Sequence, residues 1–127
     1  MEIKVQIKPD VDKLVKKFEG FEQILFTKLR EAIWGYALLV ERGAKMFAPV
    51  DSGRMRSSIG ITMKIADRGL SATVAPNVSY AFYVHEGTRY MKGRPFMEWG
   101  LNAYKREGEQ LINNKISDAI NQLGVSR

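Results

Sequence analysis

Along the first half of the chain, two periods of apolar residues follow one another. From Glu2 to Lys8 they alternate, with Ile3, Val5 and Ile7 on one side and Glu2, Lys4, Gln6 and Lys8 on the other. A period of two predicts a short, half-buried strand, which Pro9 closes because proline has no N–H to give to a ladder. Asp10 then offers an N-cap for a helical segment. From Val11 to Phe47 the step lengthens to three and four: Val11, Leu14, Val15 and Phe18. After Gly20 it continues through Ile24, Leu25, Leu29, Ile33, Tyr36, Ala37, Val40, Ala44 and Phe47. That stripe predicts a long amphipathic helix, with Gly20 a point where a short first helix can part from it. Pro49 ends the run, because the residue before a proline avoids helical dihedrals.

The second half reverts to alternation and then returns to a helix. Asp51, Ser52 and Gly53 form a turn signal. Ile59, Ile61, Met63 and Ile65 alternate with small and polar residues up to Asp67–Arg68–Gly69, and Leu70, Ala72 and Val74 alternate beyond it. Two such runs around a short glycine-containing loop predict a β-hairpin, with the N-terminal strand as its third partner. Tyr80, Ala81, Tyr83 and Val84 suggest one brief helical turn, and Gly87, Gly93 and Pro95 interrupt regular structure. A last helix is predicted from Pro95 or Phe96 to Leu123, with Gly108 weakening its middle and Gly124 as its stop. The expected fold is α+β: a small antiparallel sheet of about three strands packed against two long helices, in one domain covering 1–127.

Composition narrows the chemistry. The chain has 127 residues and no cysteine, which removes disulfides, thiolate metal sites and a cysteine nucleophile. The single histidine, His85, stands beside Glu86, and no spacing of carboxylates around them makes a ligand frame. Neighbours on an extended backbone point apart, which argues against a relay between the two. No phosphate-cradling glycine loop occurs. The reading is therefore of a non-enzyme without cofactor or metal. The N-terminus lacks the apolar block of a secretory signal, and Ile33–Val40 is far too short to span a bilayer, so the expected setting is the cytosol of the producing cell or a particle assembled there, with no membrane contact.

Net charge is +6, and its largest regional excess lies in residues 51–98, with seven Lys/Arg against four Asp/Glu. Two clusters carry it. Arg54 and Arg56 flank Met55, which would point inward if the backbone there is extended. The solvated-edge reading and the subunit-contact reading of these arginines both stand; for the latter, the guanidinium fork suits carboxylates. The second cluster combines Arg89, Lys92 and Arg94 with Tyr90 and Met91, the mixture that recurs at protein interfaces and that can also stack on bases and meet phosphates. Tyr80, Tyr83 and Phe96 fit best as core beneath that loop. Arg54, Arg56, His85, Glu86, Arg89, Tyr90, Met91, Lys92 and Arg94 are the interface candidates.

The stretches Ala48–Pro–Val–Asp–Ser–Gly–Arg–Met–Arg–Ser–Ser–Ile59, Tyr80–Ala–Phe–Tyr–Val–His–Glu–Gly–Thr88 and Arg94–Pro–Phe–Met97 closely resemble the HK97 gp10-like family of tailed-phage proteins, described as tail components or neck and tail-completion proteins. The resemblance covers nearly the whole chain in order. Its turn pattern falls on Pro49, Asp51, Gly53, Arg54 and Ser58, and its loop pattern on Tyr80, Ala81, Tyr83, Val84, Gly87, Thr88, Arg94, Pro95 and Phe96. Ser52 and Met55 stand where the family often has Thr and Leu, and His85–Glu86 departs from its frequent acidic–aromatic pair. The resemblance implies assembly rather than turnover: a homo-oligomer, in some cases a ring, at the virion neck or tail junction, with neck, connector or tail proteins as partners. An accessory protein making non-specific DNA contact through the basic middle segment is the alternative.

Overall fold

The computed structural model describes residues 3–9, 20–49, 53–66 and 69–122. The expected N-cap at Asp10, the first helical segment from Val11 to Phe18, the turn residues Asp51 and Ser52, the Asp67–Arg68 turn and the stop at Gly124 lie outside them. The chain runs β1 (Val5–Ile7), α1 (Glu22–Phe47), α2 (Gly53–Ser58), β2 (Gly60–Ala66), β3 (Gly69–Ala75), α3 (Ala81–Glu86) and α4 (Phe96–Gln122).

Helix α1 realises the long stripe. Gly20 precedes it with φ +85°, a left-handed conformation that glycine adopts without a Cβ penalty. Glu22 lies in the first turn and Lys45 in the last, each opposite in sign to the dipole end it faces. The Ala48 N–H closes the helix on the Ala44 carbonyl at 2.9 Å, and Ala48 itself is extended ahead of Pro49. Leu25, Leu29, Ile33, Ala37, Val40 and Ala44 are fully buried, as the period requires.

The sheet has the order β1–β3–β2 and is antiparallel throughout. The hairpin pairs Ile61 with Val74, Met63 with Ala72 and Ile65 with Leu70, and β1 places Val5 on Val74 and Ile7 on Ala72. One face is therefore apolar. Leu70, Ala72 and Val74 of the central strand are buried, whereas Ile65 at the end of an edge strand is 60% exposed. Gln6, Thr62, Lys64, Ser71 and Thr73 share the opposite face, by the alternation of the pleat.

The two long helices do not simply lie on this sheet. The most extensive interface in the fold joins α1 to α4, and the sheet contacts mainly α1. The helices run antiparallel: Gly43 meets Gly100, Tyr36 meets Gly108, Gly35 meets Leu111, and Glu31 bonds Lys115 at 3.0 Å. At the crossing, a Cβ on Gly100 would sit 2.3 Å from the Ala44 nitrogen, and one on Gly43 would sit 2.6 Å from the Gly100 carbonyl oxygen. The backbones thus touch where both side chains are a hydrogen. Gly108 departs from its expected role as a weak point. It is buried, and the Tyr36 ring covers it so closely that a Cβ would fall 2.3 Å from the ring's Cδ1.

Candidate functional site

Between β3 and α4 the chain builds a small projecting knuckle. Helix α3 buries Ala81 and His85, four residues apart on one face. Val84 packs partly against the core, whereas Tyr80 (38% exposed) and Tyr83 (50% exposed) are not the core residues expected beneath the loop. Only Phe96 of that trio is core, with no exposed surface. Gly87 then ends α3 with φ +89°, its N–H donating to the Tyr83 carbonyl at 2.8 Å.

The loop that follows is zipped along its length. The Thr88 N–H donates to the Met91 carbonyl at 2.8 Å and the Met91 N–H donates back at 3.4 Å, leaving Arg89 and Tyr90 as a two-residue tip. The Thr88 hydroxyl accepts the Tyr90 N–H at 3.2 Å. Gly87 and Lys92 form an antiparallel bridge, and the Arg94 N–H returns to the Val84 carbonyl at 2.9 Å. At the base Gly87 and Gly93 press together: a Cβ on the first would lie 2.6 Å from the Gly93 nitrogen. Pro95 leads into α4, where Phe96 and Met97 anchor the returning segment in the core.

This framework leaves one surface free. Tyr90 is 89% exposed at the tip, and Arg89, Met91, Lys92 and Arg94 are exposed around it. Among the described residues the three cations form no ion pair. The knuckle is thus a cationic–aromatic projection on a hydrogen-bonded frame, with little ordering entropy left to lose on contact.

The other interface candidates lie elsewhere. His85 is 4% exposed and stacks edge-on against Phe96, with ring centroids 5.3 Å apart, so its ring belongs to the core. Because the backbone is helical rather than extended, His85 and Glu86 do meet: Nδ1 lies 3.0 Å from the exposed Glu86 carboxylate. A carboxylate can only accept, so Nδ1 carries the hydrogen, and the buried Nε2 has no hydrogen-bond partner among the described residues. Arg54 is exposed, but its neighbours are helical, not extended. Met55 is buried because α2 turns it inward. Arg56 is a brace, its Nε donating to the Lys45 carbonyl at 2.8 Å, one of the acceptors that the end of α1 leaves unpaired. The Ser58 hydroxyl donates to the Met55 carbonyl and accepts the Asn77 N–H, tying α2 to the chain leaving β3. Pro49 is half-buried after α1, Gly53 opens α2, and Asp51 lies outside the described residues.

Among the described residues no three His, Cys, Asp or Glu side chains converge as a metal-binding group, and no helix is long and apolar enough to cross a membrane.

Compared with known families, residues 6–87 match the model described as "Bacteriophage HK97-gp10, putative tail-component". The chain belongs to that family. The matched span runs from β1 to the end of α3, so it is shorter than the near-complete resemblance read from the motifs; Arg94–Pro–Phe–Met97, the knuckle beyond Gly87 and all of α4 fall outside it. No curated protein and no solved structure matches the chain.

Proposed function

We propose that this tail-component family member is a structural part of a tailed-phage particle that acts at the head–tail junction, joining or completing the tail through contacts repeated between subunits. The observation that supports this reading is the knuckle. Its tip presents Arg89, Tyr90, Met91, Lys92 and Arg94 to solvent, while Gly87, Gly93 and Phe96 fix its base. Exposed tyrosine and arginine on a rigid support are the residues that dominate binding energy at protein interfaces. Around a symmetry axis each such contact recurs, so modest pairwise affinities add up to a stable ring with neck or tail proteins.

Complementation of a gene deletion, with immunogold localisation on complete and tail-less particles, tests the role. The wild-type gene is expected to restore tailed, infectious particles and to label the junction. The R89E/R94E double variant is expected to fold normally and to fail in complementation. Normal yields of tailed particles in the deletion strain overturn the completion role; full rescue by the double variant overturns the knuckle's part in it. The same unpaired cations favour a second reading, contact with DNA passing the junction. That reading requires binding to unrelated DNA sequences that weakens steeply with salt.

A further inference from the structure

Strand β2 is the outermost strand of the sheet, and among the described residues its outer edge pairs with no other strand. It is seven residues long, whereas β1 on the opposite edge has three. Its apolar side carries Ile61, Met63 and Ile65, the last well exposed, and its polar side carries Thr62 and Lys64. Edge strands of this length normally carry a proline, a bulge or several charges that block pairing. Within β2 the only charge is Lys64.

We propose that β2 is a self-pairing edge, joining β2 of a second copy antiparallel across a two-fold axis at Met63. This register pairs every residue of the strand: Gly60 with Ala66, Ile61 with Ile65, Thr62 with Lys64, and Met63 with its symmetry mate. Neighbouring two-fold registers are worse. Centring on Lys64 sets the two ammonium groups against each other, and centring on Thr62 leaves Ile65 and Ala66 unpaired. With the axis at Met63, each exposed Ile65 faces an Ile61 on the same side of a six-stranded sheet, and each Lys64 faces a hydroxyl. The strand's sequence is therefore self-complementary in the register that uses its full length. This contact is separate from the knuckle and independent of the tail-junction reading; either can fail without the other.

Sedimentation of the full chain over a range of concentrations reads the dimer directly. Thr62 is exposed on the polar face, so its replacement leaves the core intact. T62K sets a like charge opposite Lys64 twice per dimer and is expected to weaken association by about two- to thirty-fold; T62E is expected to strengthen it by a comparable factor. The absence of native cysteine permits a second readout. Directly opposed residues have Cα atoms about 4.5–5.5 Å apart, within disulfide range, so mixing T62C with K64C protein under mild oxidation is expected to give a linked heterodimer. A chain that stays monomeric up to its solubility limit overturns the proposal. So does a dimer indifferent to the charge at position 62, or a mixed disulfide no more abundant than that formed by T62C alone.

Discussion

Replacing Gly100 by alanine tests whether the contact between α1 and α4 is as close as the backbone geometry requires. The new methyl would lie 2.3 Å from the Ala44 nitrogen and 2.7 Å from the Gly43 carbonyl carbon. Ordinary contact begins at 3.4 Å, so the helices must separate by about an ångström, and no rotamer change relieves a clash with backbone. A gap of that size forfeits roughly a quarter to a half of each dispersion contact along the seam. Overpacking of this kind costs about 1–3 kcal/mol, and the upper end applies because the obstacle is main chain. Alanine returns about 1 kcal/mol through helix propensity. The net expectation is a loss of about 2 kcal/mol, which for a chain of this size lowers the melting midpoint by roughly 6–10 °C.

Two companion substitutions separate the clash from propensity. At Gly108 the obstacle is the Tyr36 ring, so G108A is expected to destabilise and to be partly rescued by Tyr36→Leu, whereas G100A has no side chain whose trimming could help. At Gly35 the nearest atom is the mobile end of Leu111, 3.2 Å from the added methyl, so G35A is expected to be neutral or slightly stabilising. Urea denaturation followed by circular dichroism at 222 nm ranks the three variants. If G100A proves as stable as the wild type, the close crossing is wrong and propensity alone governs these positions.

Two further outcomes follow from the same geometry. Burial beneath α4 raises the pKa of Tyr36, and the Glu109 carboxylate adds to the rise. The folded state thus favours the neutral phenol: its stabilisation is whole below the ordinary tyrosine pKa of about 10 and is lost as pH climbs through the raised value. In an absorbance titration of the five tyrosines, the last step should vanish in Y36F; an unchanged curve rules the assignment out. Gly87→Ala places a side chain at φ +89° and within 2.6 Å of the Gly93 nitrogen, a strain on the order of 2 kcal/mol. Amide exchange is expected to accelerate at Thr88 and Met91 while the α1–α4 core stays protected, and unaltered exchange there would refute the zipped loop.

Periodicity carried the reading of α1, the hairpin and α4 because the large side chains buried there are mostly apolar and fall in step. It could not show how the helices meet. Gly43, Gly100 and Gly108 have no hydrophobic signal, and the same residue that weakens an isolated helix permits a close crossing when another helix lies against it. The knuckle's frame was hidden for a related reason. Tyr80 and Tyr83 read as core beneath the loop, whereas the four-residue step from Ala81 to His85 sets the buried face of α3 and turns both tyrosines out. Arg56 was legible in principle, since a helix stopped by Pro49 leaves carbonyls in want of a donor; which nearby arginine reaches them depends on the fold of α2.

The burial of His85 bears directly on how the knuckle can serve as a contact. Its ring, Phe96 and the Gly87–Gly93 apposition form the base from which the tip projects, and that base is continuous with the α1–α4 core. Substitutions at Arg89, Tyr90 or Lys92 therefore remove side chains that touch nothing in the fold's interior, whereas substitutions at His85 or Gly87 disturb the support. A loss of assembly caused by Tyr90→Ala with unchanged melting would be a loss of contact. The same loss from His85→Ala would be accompanied by a lowered melting midpoint, because truncating a fully packed ring opens a cavity beside Phe96. Measuring stability alongside particle yield for these two variants separates the surface that recognises from the frame that presents it.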